Sequence, residues 1–111
     1  MPAQIIDRVV FDELSSTTGA DFVQELVETF AEEAPGLLAQ MRDAQSTGAA
    51  DPFRRAAHSL KSNALTFGAL RLGQLARELE QGGLPTPGHA LTDLRDALDE
   101  AVQALKVLSR A

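Results

Sequence analysis

The residues of this sequence that could carry out chemistry are grouped around His58. Arg54 lies four residues before it, Lys61 three residues after it and Ser62 four residues after it. Side chains three and four residues apart are neighbours on a helix surface, so this spacing predicts an imidazole flanked by two cations and a hydroxyl. Nearby cations favour the neutral, nucleophilic imidazole, and ammonium and hydroxyl groups donate hydrogen bonds to an arriving anion. Because the chain contains no cysteine, His58 is the candidate nucleophile, and phosphoryl acceptance is the chemistry that fits it.

The helix that carries His58 is predicted to turn this side chain toward solvent. Apolar residues recur at helical spacing from Phe53 to Phe67. On a helical wheel that starts at Phe53, they occupy an arc from about 300 to about 40 degrees, whereas His58 falls at about 140 degrees. Leu65 shares the outward arc and offers an apolar spot for docking a partner protein. On the wheel alone, an ordinary solvated helix face explains the cluster equally well.

Proline and glycine residues set the limits of the predicted helices. A stripe that precedes the His58 helix predicts a long helix over about residues 19–46. Pro35 lies inside it, where a proline removes one backbone donor, so the helix either bends there or is divided in two. Asp51 and Pro52 suit the N-cap and first position of the His58 helix, and Gly68 suits its left-handed end. The long stripe consists of Phe22, Leu26, Phe30, Ala34, Leu37 and Met41, and it is widened by Val23, Val27 and Leu38.

The remaining stripes complete an all-α fold. A third helix ends near Gly82, a fourth covers about residues 88–109, and a short helix around Leu14 precedes the others. Four amphipathic helices joined by short turns predict an antiparallel up-down four-helix bundle with a short N-terminal capping helix. The length of 111 residues predicts that residues 1–111 form a single domain.

Composition excludes several classes of function. Sixteen acidic and ten basic residues give a net charge of −6, and there is no Trp or Tyr, so nucleic acid is not an expected partner. The charge is segregated: residues 1–50 carry −7, residues 51–77 carry +4 and residues 78–111 carry −3. Without cysteine, an apolar run of membrane-spanning length or a signal peptide, we expect a cytoplasmic protein that does not enter a membrane and acts as a monomer.

The segment that contains His58 resembles a known family. In its sequence, Lys61 lies three residues after His58 and Gly68 lies ten residues after it, and the helix that follows Gly68 carries Leu79 and Glu80, in the order AHSLKSNALTFGALRLGQLARELE. This pattern is similar to the signature of histidine-containing phosphotransfer (HPt) domains, here of a stand-alone, single-domain type. The resemblance is strongest over about residues 53–80 and extends to chain length and to the closing helix.

The resemblance implies a role for each residue of the candidate site. In such a domain, His58 carries a phosphoryl group on its outer imidazole nitrogen, and Lys61 lies beside the phosphate and offsets its charge. Glu80 matches a position whose side chain accepts a hydrogen bond from the other ring nitrogen, although a surface acid at a helix end is an equally good interpretation. Ser62 and Asn63 depart from the pattern, because the family usually has Gly and then Ser there. This departure affects the expected partner range and transfer rate.

The resemblance also implies a phosphorelay in which His58 receives a phosphoryl group from a receiver aspartate or a histidine kinase. The group then passes to the receiver domain of a response regulator. Because the sequence has no glycine-rich phosphate loop, we expect no ATP-dependent kinase activity, no cofactor of its own, and Mg²⁺ supplied by the receiver. A helical adaptor that docks receiver or kinase domains without being phosphorylated is the alternative. A metal site formed by His58 and His89 is a weaker hypothesis, and His89 is expected instead to cap the last helix or simply to lie on the surface at its start.

Overall fold

Helices make up almost all of the secondary structure. The computed structural model describes residues 5–86 and 88–110, and these contain helices but no strand, so the prediction of an all-α fold is confirmed. The helices are α1 (Arg8–Thr18), α2 (Ala20–Thr47), α3 (Ala50–Thr66), α4 (Leu70–Gly82) and α5 (Ala90–Arg110).

Helix α2 continues without a break through Pro35. The division into two helices that the proline allowed is therefore wrong. Ala34 and Leu38, on either side of the proline, are both buried, and Pro35 itself lies on the exposed face. Packing of the buried face thus outweighs the loss of one backbone hydrogen bond.

The buried stripe of α2 differs from the predicted one at its first turn. Phe22 was expected on the buried stripe, but it is 50% exposed, whereas Val23, which was expected only to widen that stripe, is buried. One step along a helix turns a side chain by about 100 degrees, so Phe22 and Val23 cannot both point to the centre of the core. The buried face of α2 begins at Val23. The buried residues are Val23, Val27, Phe30, Ala34, Leu38, Met41 and Ala44.

The start of α3 also corrects a prediction. The helix begins at Ala50, and the N-cap residue, Ala49, makes no capping hydrogen bond through its side chain. The assignment of Asp51 as N-cap and Pro52 as first helical residue was therefore wrong by two positions. Pro52 is tolerated because the first four N–H groups of a helix have no partner within it.

Gly68 ends α3 as predicted and ties it to the N-terminal segment. Its φ of +76° lies in the left-handed region, which costs glycine little. The Asp7 N–H group donates to the Gly68 carbonyl oxygen at 2.7 Å. Helix α1 starts at Arg8, directly after Asp7, and packs on both α2 and α3. The hydrogen bond therefore ties the start of α1 to the C-terminal end of α3.

The core lies between the four longer helices. Helix α2 packs against α3 and α5, and α4 also packs against α3 and α5. Within the described ranges no polar or charged residue is buried, so functional groups must lie on the outer surface of the bundle. No helix in this part of the chain has the length and apolar character needed to cross a membrane. The largest fully buried side chains are Phe53, Met41, Leu60, Leu72, Leu94 and Leu105.

Candidate functional site

The His58 side chain projects from the outer face of α3, as the wheel predicts. Its side chain is 57% exposed, whereas the neighbouring Ala57 and Leu60 are buried in the core. Burial of these neighbours fixes the rotation of α3 about its axis, and the rotation determines where residue 58 points. The imidazole is therefore open to a second protein.

Glu80, on the neighbouring helix α4, holds the inner edge of the imidazole. Its Oε2 atom lies 2.6 Å from His58 Nδ1, and only 15% of the Glu80 side chain is exposed. Leu72 and Ala76 are buried at the two preceding four-residue steps of α4, so Glu80 continues their line out to the surface. The interpretation of Glu80 as a solvated acid at a helix end does not fit this burial.

Lys61 completes a cluster of three side chains. Its Nζ atom lies 2.7 Å from Glu80 Oε1, and its side chain is only 21% exposed. One carboxylate therefore joins the imidazole through one oxygen and the ammonium group through the other. The sequence placed Lys61 beside an arriving phosphate, but this pairing across two helices was not predicted.

These contacts determine the protonation of the cluster. The ion-pair contact with the Lys61 ammonium group and then the hydrogen bond with His58 lower the pKa of the Glu80 carboxyl, against the opposing effect of its burial. An ionised carboxylate only accepts hydrogen bonds, so we assign the bridging proton to His58 Nδ1. In the neutral ring the proton on Nδ1 leaves Nε2 with a free lone pair directed outward. The geometry thus presents a nucleophilic nitrogen at the surface.

Comparison with known protein families identifies the family of this chain. The family model described as Hpt domain matches residues 25–105, a span that includes His58, Lys61 and Glu80. The chain belongs to the Hpt domain family. The resemblance inferred from the sequence is therefore confirmed.

This Hpt domain also has the fold of a solved relative. The crystal structure of histidine-containing phosphotransfer protein B (HptB) from Pseudomonas aeruginosa PAO1 is similar with a TM-score of 0.70 and 21% sequence identity, over 97% of this chain and 93% of that chain. At this identity the similarity concerns the fold. A comparison with curated proteins gives no match.

The second cation predicted beside His58 already has a partner in this Hpt domain. Arg54 Nη2 donates to Asp51 Oδ1 at 2.7 Å, and this hydrogen bond is the main cause of the lowered pKa of Asp51. The i,i+3 spacing of the two residues could have indicated the pair from the sequence. Ser62 is exposed and Leu65 is 47% exposed; the partner-binding roles of all three residues stay predictions.

An open groove runs beside His58 between α2 and α3 of the Hpt domain. It has a volume of about 690 Å³, and the walls include Glu32, Glu33, Gly36 and Leu37 from α2 together with Ser62 from α3. Sequence reasoning missed the contribution of α2. These residues lie more than 20 positions before His58, and only the packing of α2 on α3 brings them to the site.

The second histidine lies in a separate pair. His89 Nδ1 is 3.2 Å from Asp93 Oδ2, and the His89 carbonyl oxygen accepts a hydrogen bond from Asp93 N–H at the start of α5. His89 therefore lies at the start of the last helix, as predicted, but its imidazole contacts Asp93 and caps no backbone N–H group of the described residues. Among the residues that the structure describes, no group of three or more His, Cys, Asp or Glu residues has metal-binding geometry, so the hypothesis of a His58–His89 metal site gains no support.

Proposed function

We propose that this protein is a histidine phosphotransfer protein of a two-component phosphorelay. His58 accepts a phosphoryl group from a receiver aspartate or a histidine kinase and passes it to the receiver domain of a response regulator. The observation that carries the proposal is the exposed imidazole whose Nδ1 atom lies 2.6 Å from Glu80 Oε2. Membership of the Hpt domain family supports it.

The transfer step follows from the proton assigned to Nδ1. The lone pair on His58 Nε2 forms the N–P bond while the P–O bond to the donor aspartate breaks, and the electrons of that bond remain on the aspartate carboxylate. The ring becomes cationic as the N–P bond forms, and the Glu80 carboxylate at Nδ1 stabilises that charge. Transfer to the next receiver is the reverse reaction on another aspartate, and the Nδ1 proton stays in its hydrogen bond throughout.

Lys61 balances the charge of the site in both states. Before transfer its ammonium group neutralises Glu80 at 2.7 Å. A phosphoryl group on Nε2 brings further negative charge, and the flexible lysine side chain lets the ammonium lie between the carboxylate and the phosphate. Phosphoryl transfer also depends on a metal ion, and we assign the Mg²⁺ to the acidic pocket of the receiver. The protein then needs no cofactor of its own and has no ATP-dependent kinase activity.

The same proposal covers the setting in which the protein works. We infer that α2 to α5 alternate in direction, because short connections favour antiparallel neighbours, and that residues 1–111 act as one monomeric domain. A sequence without cysteine fits the reducing cytoplasm, where receivers and kinase domains are available. The proposed partners are a receiver domain and a sensor or hybrid histidine kinase, with no role for nucleic acid or a membrane.

The test uses the two histidines of the chain as a matched pair. The protein is incubated with receiver domains phosphorylated on aspartate, and protein-bound phosphate that is labile in acid but stable in alkali is measured. We expect wild type and His89→Gln to be labelled equally and His58→Gln to remain unlabelled. Undiminished labelling of His58→Gln would refute the assignment. Stable binding of a receiver to an unlabelled wild-type protein would favour the adaptor function instead.

A further inference from the structure

Gly36 occupies a position where the fold itself does not require glycine. It lies in the interior of α2, directly after Pro35, and its φ is not in the left-handed region. A Cβ atom added to Gly36 would have no neighbouring atom within 4 Å. Alanine would favour the helix by about two- to fivefold in the folding equilibrium. Neither backbone conformation nor internal packing therefore explains the glycine.

The surroundings of Gly36 point to an external contact. The residue lies on the α2 wall of the groove whose opposite wall carries His58 and Ser62. A protein that brings a phosphoryl group to His58 meets this groove, because the His58 side chain is part of its lining. At residue 36 the wall consists of backbone alone, which permits close approach by another chain.

The charge of the groove indicates the chemistry of the approaching surface. Glu32 and Glu33 line the same wall, and both are exposed. No Lys, Arg or His side chain in the described ranges forms a salt bridge with either one. Two carboxylates without cationic partners beside an open wall are complementary to a surface that carries a basic side chain.

We propose that Gly36 is a docking residue that determines which receivers can reach His58. The missing side chain lets a helix or loop of the receiver lie against α2, and a basic residue of that segment pairs with Glu32 or Glu33. This inference rests on the proposed function, since it assumes that His58 exchanges phosphate with a receiver. Gly36 takes no part in the reaction and acts only through the fit of the partner.

The experiment compares Gly36→Ala and Gly36→Leu with the control Gly82→Ala. Gly82 is also a helical glycine without atoms within 4 Å of an added Cβ, but it lies on α4 and does not line the groove. Rates are measured with a phosphorylated receiver that labels the wild-type protein. We expect a rate constant about tenfold lower for Gly36→Ala, as crowding of a packed interface by one methyl group predicts, and lower still for Gly36→Leu. Gly82→Ala should transfer at the wild-type rate.

A second measurement separates docking from chemistry. Labelling by a small phosphoramidate donor needs no protein partner, so it should proceed equally in wild type and in both Gly36 variants. Receiver transfer to Gly36→Leu at the wild-type rate would overturn the inference and leave the proposed function intact. Equal losses with receiver and phosphoramidate would also overturn it, because Gly36 would then act on His58 itself. If no receiver labels wild type, the proposed function fails instead.

The acidic pair has its own test with the same receiver. The double variant Glu32→Gln, Glu33→Gln removes both charges with little change in shape, and we expect slower transfer at low ionic strength. The difference from wild type should shrink as salt is added, because salt screens interactions between exposed charges. A rate equal to wild type at low salt would show that the partner carries no basic residue at this wall.

Discussion

Replacing Gly68 with alanine tests how the end of the His58 helix is held. A Cβ atom at this position would lie 2.8 Å from the Asp7 carbonyl oxygen and 3.0 Å from Val10 Cβ. Withdrawal of the N-terminal segment would relieve these contacts, but it would also break the 2.7 Å hydrogen bond from Asp7 N–H to the Gly68 carbonyl oxygen. The substitution therefore combines backbone strain with crowding.

The variant Gly48→Ala separates backbone strain from crowding. Its φ of +74° is close to the +76° of Gly68, but an added Cβ would have no neighbour within 4 Å. A left-handed alanine costs about 1–2 kcal/mol, and we expect this destabilisation for Gly48→Ala. Crowding adds about 1–3 kcal/mol, so Gly68→Ala should lose about 2–5 kcal/mol of the free energy of unfolding.

Urea unfolding followed by far-ultraviolet circular dichroism measures the difference. With a urea dependence of about 1–3 kcal/mol per molar, the midpoint of Gly68→Ala should lie about 1 M below that of Gly48→Ala. Equal midpoints for the two variants would refute the reasoning, because the close approach of Asp7 and Val10 would then contribute nothing to the cost.

Three further predictions concern the cluster around Glu80. Glu80→Ala removes the acceptor of His58 Nδ1–H, so both neutral tautomers should appear in ¹⁵N NMR spectra and transfer should slow by about tenfold; an unchanged tautomer ratio would contradict this. Lys61→Met removes the ammonium group from Glu80 Oε1, so the pKa of Glu80 should rise toward its usual 4.5 in a ¹³C NMR titration. An unchanged pKa would show that Lys61 does not cause the lowering. Because the pKa of Glu80 is lowered by folding, its ionisation stabilises the protein fully above about pH 4.5, and the effect is lost as the pH falls through the lowered value. The stability difference between wild type and Glu80→Gln should therefore narrow below pH 4.5, whereas a constant difference from neutral to acidic pH would disprove the linkage.

Features that depend on neighbours along the chain could be predicted from the sequence. The apolar period of α3 is a local property, and it placed His58 on the outer face without knowledge of the other helices. Gly68 was correctly predicted to end this helix in a left-handed conformation, since that choice depends on the missing side chain of one residue. The spacing of His58, Lys61 and Gly68 was sufficient to indicate the family.

Features that depend on packing between helices required the tertiary structure. The packing of α2 against its neighbours decides whether this helix continues through Pro35. The same packing decides that Val23 is buried and Phe22 is exposed. The pairing of Lys61 with Glu80 depends on how α3 is rotated and offset against α4. The position of Gly36 in the groove depends in the same way on how α3 lies against α2. The sequence determined the helices and the outward direction of the imidazole, because both follow from local periodicity. The tertiary structure alone decided that the carboxylate beside His58 also pairs with Lys61 and that the α2 wall with Gly36 lies beside the imidazole, because helix packing sets those distances.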